Sequence, residues 1–389
     1  MMTHIKTNLS VKLLIVAFLL SLLSGPIGSI MFWTQKGRDV LGFQFFEMFK
    51  IPMIIMTLAA IVSLVRSRKI YFSRESYLFI LFFPLALIVG ITEHGLNYYS
   101  LVHIYGILMP VVAISFGYHL VAYWNGFDSE LWRKVFLVAL VAVVPVVIYY
   151  FFLVRTEVID RFGVSTDLSV LFAYFLVKKK RIGTFVVMTM ALLTGKRVTQ
   201  LSIVAILLFY FGQIVASNVA MKAKKNAILV IILALLSIPI ADYFDLLGRY
   251  RGIPDAIISG TKSAEVSSGR DIDIECAKDY IDRSLGGWWL GGGVGSSYVV
   301  YISEMKRVLH YSHFMPLTYT MIMGVVFAVL LYGSMAYTAL NAFRRVKESF
   351  VTCAFVGLAV ASFSGPNLLV DPFPWVLLGG IGAQLKNIH

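Results

Sequence analysis

The residues around His313 have the types and spacing for chemistry on a hydroxyl group. His313 lies in HYSHFMPLTYTMIMG, where a polar segment gives way to an apolar one. An imidazole titrates near neutral pH and takes a proton from a hydroxyl, which makes His313 a candidate general base. His310 and Tyr311 stand close enough in sequence to support it. The alternative is the commoner role of a lone histidine at a membrane interface, a hydrogen-bonded packing residue.

The same two histidines, three residues apart, also have the spacing of a metal pair on one helical turn. No third and fourth ligand with matching spacing occurs in the sequence, so we predict no metal site. A further titratable candidate is Asp167, which lies near the outer end of a predicted membrane span and within reach of water.

Five basic residues are candidates for binding a diphosphate. Lys196 and Arg197 stand between two apolar runs, Arg249 and Arg251 follow another apolar run, and Arg270 precedes the acidic stretch DIDIECAKD. A guanidinium group bonds two oxygens at once and keeps its proton, so arginine suits a diphosphate. The alternative for Arg197 is an interfacial anchor. For the other arginines it is a solvated loop charge or an ion pair with a nearby aspartate.

The elements that must position these residues are membrane helices. The 389-residue chain is 59% hydrophobic and 14% charged, with a mean hydropathy of +0.81, whereas a soluble domain is about half apolar and a quarter charged. This excludes a cytosolic enzyme, a disulfide scaffold and a disordered chain. The two cysteines form no disulfide framework. The absence of a P-loop argues against an ATP-driven pump.

Apolar runs of about 20 residues, the length that crosses a ~30 Å hydrocarbon layer, predict an all-α bundle of about twelve transmembrane helices. The first run is expected to be a retained span rather than a removed signal. The predicted spans are 11–32, 43–65, 76–91, 101–123, 135–154, 164–177, 182–194, 198–216, 226–240, 313–340, 350–363 and 375–385.

Basic residues predict the orientation of these spans. The termini and the loops at 66–74, 133–134, 178–181, 222–225 and 344–347 hold 19 Lys and Arg residues, whereas the short loops of the other side hold six. Lysine and arginine concentrate in cytoplasmic loops, so both termini should be cytoplasmic. The net charge of +13 has the same explanation, and we expect no nucleic-acid partner.

The polar segment 241–312 is then extracytoplasmic. It carries ten acidic residues and eight Lys and Arg, and it contains the glycine-rich run WWLGGGVGSS. The run Ile272 to Ile281 with Ala277 predicts a short amphipathic helix. Because the segment lacks the size of an independent domain, we expect residues 1–389 to form one integral membrane domain on which 241–312 packs as a lid.

The order of these motifs resembles that of the O-antigen polymerases and O-antigen ligases, membrane glycosyltransferases of the GT-C type. The matching elements, over roughly residues 185–340, are the basic pair in TGKRV, a long outer loop opening with an arginine in SSGRDIDIECAKDYI, the WWLGGGVG patch, and His313 followed by Leu317 and Gly324. Phe314 stands where the ligases commonly have asparagine, and Lys196 stands where the family has a small residue before the arginine. Both departures favour a polymerase.

The resemblance implies a bacterial inner-membrane glycosyltransferase whose donor is an oligosaccharide on undecaprenyl diphosphate. His313 would remove the proton of the attacking sugar hydroxyl, and Arg197 and Arg270 would stabilise the departing diphosphate, with Lys196, Arg249 and Arg251 assisting. Inversion at the anomeric carbon, no metal or other cofactor, and a chain-length regulator as partner are also implied.

Three functions remain open at this point. A polymerase would transfer the growing chain to a newly arrived repeat unit, and a ligase would transfer the finished chain to lipid A core. A flippase for the lipid-linked sugar is an alternative of a different class, but it should show pseudo-repeated halves and polar residues spread through the midplane. Here the polar candidates concentrate on one side and in one segment.

Overall fold

A computed structural model describes residues 9–34, 39–40, 43–44, 50–67, 69–123, 127, 130–155, 168–193, 197–216, 270–302, 305–363 and 367–387. Over these residues the helices and turns are accompanied by two short antiparallel hairpins. The helices before the polar segment are α1 (Leu9–Thr34), α2 (Lys50–Ser67), α3 (Arg74–His94), α4 (Tyr98–Tyr123), α5 (Glu130–Arg155), α6 (Leu168–Val177), α7 (Arg181–Leu193) and α8 (Arg197–Ala216).

The second half of the described chain holds the remaining helices and one hairpin. The helices are α9 (Arg270–Arg283), α10 (Gly287–Leu290), α11 (Met315–Met323), α12 (Val325–Arg345), α13 (Phe350–Ala361), α14 (Asn367–Val370) and α15 (Phe373–Lys386). The hairpins pair β1 (Asp39–Val40) with β2 (Phe43–Gln44), and β3 (Tyr298–Ile302) with β4 (Met305–Leu309).

Within the described residues, five helices are long and apolar enough to cross a membrane, as judged by length and composition. They are Arg74–His94, Tyr98–Tyr123, Glu130–Tyr149, Val198–Ala216 and Val325–Arg345. The fold is therefore a helical bundle of membrane type, as the hydropathy predicts.

The centre of the bundle is built on close packing of α4 against the C-terminal helices. A Cβ added at Gly117 would lie 1.8 Å from the carbonyl oxygen of Val376, and one added at Gly379 would lie 1.9 Å from that of Ile114. Small residues let backbones approach in this way, and such contacts are typical of helix pairs in membranes. Trp375 and Phe79 fill the space beside this contact, edge to face at 5.3 Å.

Two of the predicted spans are shortened or interrupted in the structure. The span predicted from residue 43 begins as a helix only at Lys50, because residues 43–44 pair as strand β2. The single span predicted at 313–340 is broken at Gly324, whose positive φ of 87° ends α11 and precedes α12. The span predicted at 226–240 lies outside the described residues.

The two ends of α4 meet different parts of the chain. Near its C-terminus, Nε2 of His119 lies 2.9 Å from the carbonyl oxygen of Lys69, in one of the basic loops. Near its N-terminus, Nε2 of His103 lies 2.8 Å from the carbonyl oxygen of His310. Sixteen residues of helix separate the two histidines by about 24 Å. The basic loop at 69–74 and the His313 segment are therefore at opposite ends of the bundle.

Candidate functional site

The candidate site begins with one carboxylate on the buried face of α9. Asp273, Ala277 and Ile281 are spaced four residues apart, so they share one face of the helix. All three are buried, and Asp273 is only 2% exposed. Removing a carboxylate from water is unfavourable unless donors replace the lost hydrogen bonds. The partners of Asp273 therefore decide how this helix is held.

Three residues supply donors to Asp273. The Tyr298 hydroxyl donates to Oδ1 at 2.5 Å, and the Ser312 hydroxyl donates to Oδ2 at 2.9 Å. The backbone N–H of His313 also donates to Oδ2 at 2.9 Å, and Nδ1 of the same histidine lies 3.3 Å from that oxygen. Asp273 thus connects α9 to strand β3 and to the turn that precedes α11.

These contacts determine the ionisation states of Asp273 and Tyr298. Burial alone would raise the pKa of Asp273, but the hydrogen bonds from His313 and Tyr298 outweigh it and hold the pKa below its ordinary value. Burial and the adjacent carboxylate raise the pKa of Tyr298. Near neutral pH, Asp273 is therefore an anion and Tyr298 a neutral donor.

An ionised carboxylate only accepts hydrogen bonds, so Nδ1 of His313 carries a hydrogen, and in the neutral form of the imidazole the lone pair is on Nε2. The His313 side chain is 42% exposed, whereas that of Asp273 is 3% exposed. A buried aspartate that orients a more exposed histidine is the arrangement in which Ser-His-Asp hydrolases generate a base. Chemically, this pair can accept a proton from a bound hydroxyl and stabilise the imidazolium that forms.

The glycine-rich run fastens this segment to the bundle through backbone contacts. Val294 N–H donates to the carbonyl oxygen of Ala86 on α3 at 3.0 Å, and Gly292 N–H donates to that of Met321 on α11 at 2.8 Å. A Cβ added at Gly90 would lie 2.2 Å from the carbonyl oxygen of Val294. Within the run itself, a Cβ added at Gly293 would lie 2.2 Å from the backbone nitrogen of Gly90. Glycine at both positions therefore has a structural explanation.

His103 on α4 ties the glycine-rich run to the residues before His313. It is fully buried. Its Nδ1 accepts a hydrogen bond from the Gly295 backbone N–H at 3.1 Å. Nε2 must then carry the hydrogen that it donates to the His310 carbonyl oxygen at 2.8 Å. One neutral imidazole thus holds two segments of the chain against α4.

The predicted supporting residues lie beside the pair, although not on one helical turn. Residues 310–314 are non-helical, so the spacing of His310 and His313 does not correspond to a helical turn as predicted. The Tyr311 carbonyl oxygen accepts a hydrogen bond from the Tyr298 hydroxyl at 3.0 Å, and the Tyr311 ring meets the His313 ring edge to face at 6.2 Å.

The predicted diphosphate ligands are described only in part. Arg270 is the first residue of α9, one turn before Asp273, and Arg197 is the first residue of α8. The side chains of both arginines lie outside the described part of the structure. Lys196, Arg249, Arg251 and Asp167 also fall outside it.

The direction of α8 nevertheless indicates which end of the bundle Arg197 occupies. Near the C-terminus of α8, Gln213 donates to the carbonyl oxygen of Val346, in a basic loop. Ser202, further from that loop, packs at Gly357 of α13. The residue after α13, Ser362, accepts a hydrogen bond from Met315 N–H at 3.0 Å. The first turn of α8 therefore lies toward the His313 end.

The sequence alone did not identify Asp273 as a site residue. Asp273 lies forty residues before His313 and was considered only as an ion-pair partner for an arginine. The available signal was its spacing from Ala277 and Ile281, which places it on the apolar stripe of the predicted amphipathic helix. Among the described residues, no group of three or more His, Cys, Asp or Glu side chains is arranged to hold a metal ion.

Comparison of the chain with protein-family models, with curated proteins and with solved structures gave no match. The interpretation of the site therefore rests on its own geometry.

Proposed function

We propose that this chain is a membrane glycosyltransferase that joins lipid-linked oligosaccharide repeat units into a surface polysaccharide. The observation that carries the proposal is the Asp273–His313 pair, a buried carboxylate against a half-exposed imidazole. Such a pair serves a reaction in which a hydroxyl must lose its proton. The pair is formed between α9 of the polar segment and the turn that precedes α11 of the bundle, where a substrate with a polar head and a lipid tail can reach it.

The proposed reaction is a direct displacement. Nε2 of His313 accepts the proton of a sugar hydroxyl on the acceptor, and that oxygen forms a bond to the anomeric carbon of the donor. The bond from the anomeric carbon to the diphosphate breaks, and its electron pair leaves with the diphosphate oxygen. The configuration at the carbon inverts. The proton on His313 then passes to the released polyprenyl diphosphate or to water.

Arginines are proposed to stabilise the departing diphosphate. Arg270 begins the helix that carries Asp273, and residues three apart on a helix have Cβ atoms about 5–6 Å apart. Arg197 begins α8 toward the same end of the bundle. Preorganised cations in a water-poor site contribute about 3–4 kcal/mol each, by analogy with other charge-stabilising groups. Lys196, Arg249 and Arg251 are proposed as further contacts to the diphosphate or the glycan.

The proposed topology has about twelve spans, cytoplasmic termini and an extracytoplasmic segment 241–312, in a bacterial inner membrane. It is supported by the separation of the basic loop at 69–74 from the His313 segment along α4. Donors outside the cytoplasm must be carried by lipid, because nucleotide sugars are not supplied there. Undecaprenyl diphosphate is the proposed carrier.

Two alternatives make different predictions. A ligase would use the same pair but transfer the glycan to lipid A core. A flippase would need no general base, so the buried Asp273 contact to His313 favours an enzyme over a transporter. No observation on the described residues favours the ligase over the polymerase, and the preference for a polymerase rests on Phe314 and on the Lys196–Arg197 pair.

Reconstitution tests the proposal. The purified chain in liposomes, supplied with a lipid-linked repeat unit in chelator, should produce longer lipid-linked chains. Transfer only onto lipid A core would establish the ligase, and movement across the bilayer without bond formation would establish the flippase. Activity that requires a metal ion would exclude the metal-independent mechanism.

Variants test the assigned roles in the same assay. His313→Ala should abolish elongation, whereas Lys178→Ala, in a basic loop, should be nearly silent. Arg197→Ala and Arg270→Ala should each lower the rate far more than Lys178→Ala does. A His313→Ala protein that inserts normally and keeps full activity would remove the proposed base.

A further inference from the structure

A continuous series of aromatic rings runs from the first turn of α4 to the proposed base. Neighbouring ring centroids are 5.7, 4.9, 4.8 and 6.2 Å apart along the series. These spacings lie in the range in which aromatic pairs attract one another. The rings, called the aromatic row below, are those of Tyr98, Tyr99, His310, Tyr311 and His313.

We propose that the aromatic row is a saccharide-binding subsite that guides the glycan to His313. This inference rests on the proposed function and deepens it by assigning where the sugar chain lies. A sugar ring has an apolar C–H face and a rim of hydroxyl groups. Tyrosine and histidine rings offer the matching surface, an apolar body with a polar tip.

The fold holds the row rigidly at its centre. Tyr99 and His103 are one helical turn apart, so they share a face of α4. The Tyr99 ring stacks on the His310 ring with an interplanar angle of 21°, and His103 hydrogen-bonds the His310 backbone. Two contacts from one helix therefore fix His310, and a site held in this way loses little entropy when a ligand binds.

The two ends of the row are accessible. Tyr98 is 57% exposed and the His313 side chain is 42% exposed. Between them, the Tyr311 hydroxyl has no hydrogen-bond partner among the described residues, and burial raises its pKa, so it remains a protonated donor. The row thus combines accessible ring surface with hydroxyl and imidazole groups that suit sugar hydroxyls.

The competing explanation is an interfacial belt, since tyrosines are enriched where a membrane meets water. A belt accounts for the exposed Tyr98. It does not account for the series of ring contacts that continues through His310 to the proposed base. Nor does it account for the buried His103 that supports His310. A row of tyrosine and histidine rings is also unsuited to a diphosphate, which requires cations. The geometry favours a neutral saccharide.

Tyr98→Ala in the full-length chain is the decisive variant, because Tyr98 is 57% exposed and its ring meets the Tyr99 ring edge to face at 5.7 Å. The probe is the glycan released by mild acid from the lipid-linked intermediates of the host cell, and its binding is measured by saturation-transfer NMR in detergent. Loss of one contact between a ring and the sugar should raise the dissociation constant for the glycan about fivefold. Tyr98→Phe keeps the ring and should bind nearly as the parent does.

Tyr123→Ala is the matched control. Tyr123 ends the same helix at the opposite end of the bundle and is 64% exposed, so its loss should leave glycan binding unchanged. Equal glycan binding by Tyr98→Ala and Tyr123→Ala would overturn the subsite. A Tyr98→Ala protein that binds glycan normally but inserts poorly into liposomes would also overturn it, and would establish the interfacial belt.

The elongation assay separates this inference from the proposed function. With acceptors of several repeat units, Tyr98→Ala should lower kcat/KM about fivefold by raising KM, and kcat should be retained. If the parent chain elongates its substrate but Tyr98→Ala does so equally well, only the subsite is refuted. If the parent chain forms no glycosidic bond, the proposed function itself is refuted.

Discussion

Replacing Asp273 with asparagine removes the negative charge beside His313 with little change of shape. The asparagine oxygen can accept the hydrogen bonds that Ser312 and the His313 backbone now donate to Oδ2. The amide nitrogen would face Tyr298, whose hydroxyl already lies 3.0 Å from the Tyr311 carbonyl oxygen and can donate there instead. Asp273→Asn should therefore fold, and its effect should fall on catalysis.

The size of the effect follows from the contact distance. Unit charges 3.3 Å apart attract by about 5 kcal/mol at an effective dielectric constant of about 20. Solvent screens this attraction because the imidazole is 42% exposed. A hydrogen bond to a charged group contributes about 1.5–3 kcal/mol. We expect the imidazolium to lose about 3 kcal/mol of stabilisation, which corresponds to about a 100-fold loss of kcat.

The assay is single-turnover elongation of a lipid-linked repeat unit, with thermal unfolding measured on the same preparations. Asp279→Asn is the matched control, because Asp279 is exposed on the same helix and should retain full activity. Asp273→Ala should differ from Asp273→Asn by losing stability, since it leaves several buried donors unpaired. Full kcat in a folded Asp273→Asn protein, with His313→Ala inactive, would refute the assignment of a charge-stabilising role to Asp273.

Three further predictions concern the support of this pair. Tyr298→Phe deprives the Asp273 Oδ1 of its 2.5 Å donor and should lower the free energy of unfolding by about 1–2 kcal/mol; an unchanged melting temperature would contradict it. Gly90→Ala places a Cβ 2.2 Å from the Val294 carbonyl oxygen and should lower the free energy of unfolding by about 3 kcal/mol. Gly333→Ala, whose Cβ would meet nothing within 4 Å, should not destabilise the protein in the same thermal unfolding measurement. Finally, because the folded pKa of Asp273 is depressed, its contribution to stability is complete above the ordinary value of about 3.9 and is lost as pH falls through the lower folded value. Limited proteolysis of the polar segment should therefore increase only below about pH 4 in the parent chain, and an onset near pH 6 would disprove the linkage.

Hydropathy predicts most helices of this bundle because a membrane span must be apolar over a fixed length. The helices α4 and α8 begin and end within three residues of their predicted limits. Hydropathy does not predict the break at Gly324, since apolar residues continue through it. The break arises where the backbone of Trp289 approaches, with its carbonyl oxygen 1.8 Å from a Cβ built at Gly324. Such a contact between distant segments leaves no trace in local composition.

The sequence reveals the two residues of the candidate site to different degrees. His313 is recognisable because its imidazole stands where the polar segment gives way to an apolar run. Asp273 is one of several acidic residues in DIDIECAKD, and charge alone does not distinguish it from Asp271 or Asp279. Its distinction is helical spacing: it shares a face with Ala277 and Ile281, and that face is buried. Composition suggests a solvated acidic stretch, whereas periodicity identifies the buried carboxylate.

The Asp273–His313 pair, the proposed base, is built from two segments of the chain. An ionised carboxylate within the hydrocarbon layer is costly, so a span could not carry Asp273 at the depth of its apolar residues. The polar segment supplies it instead, and the bundle supplies the turn that holds His313. The two meet only while backbone contacts such as Val294 N–H to Ala86 hold the glycine-rich run on α3. Packing at Gly90 and proton transfer at His313 should therefore fail together, so a Gly90→Ala protein that melts early should also lose kcat before it loses its membrane helices.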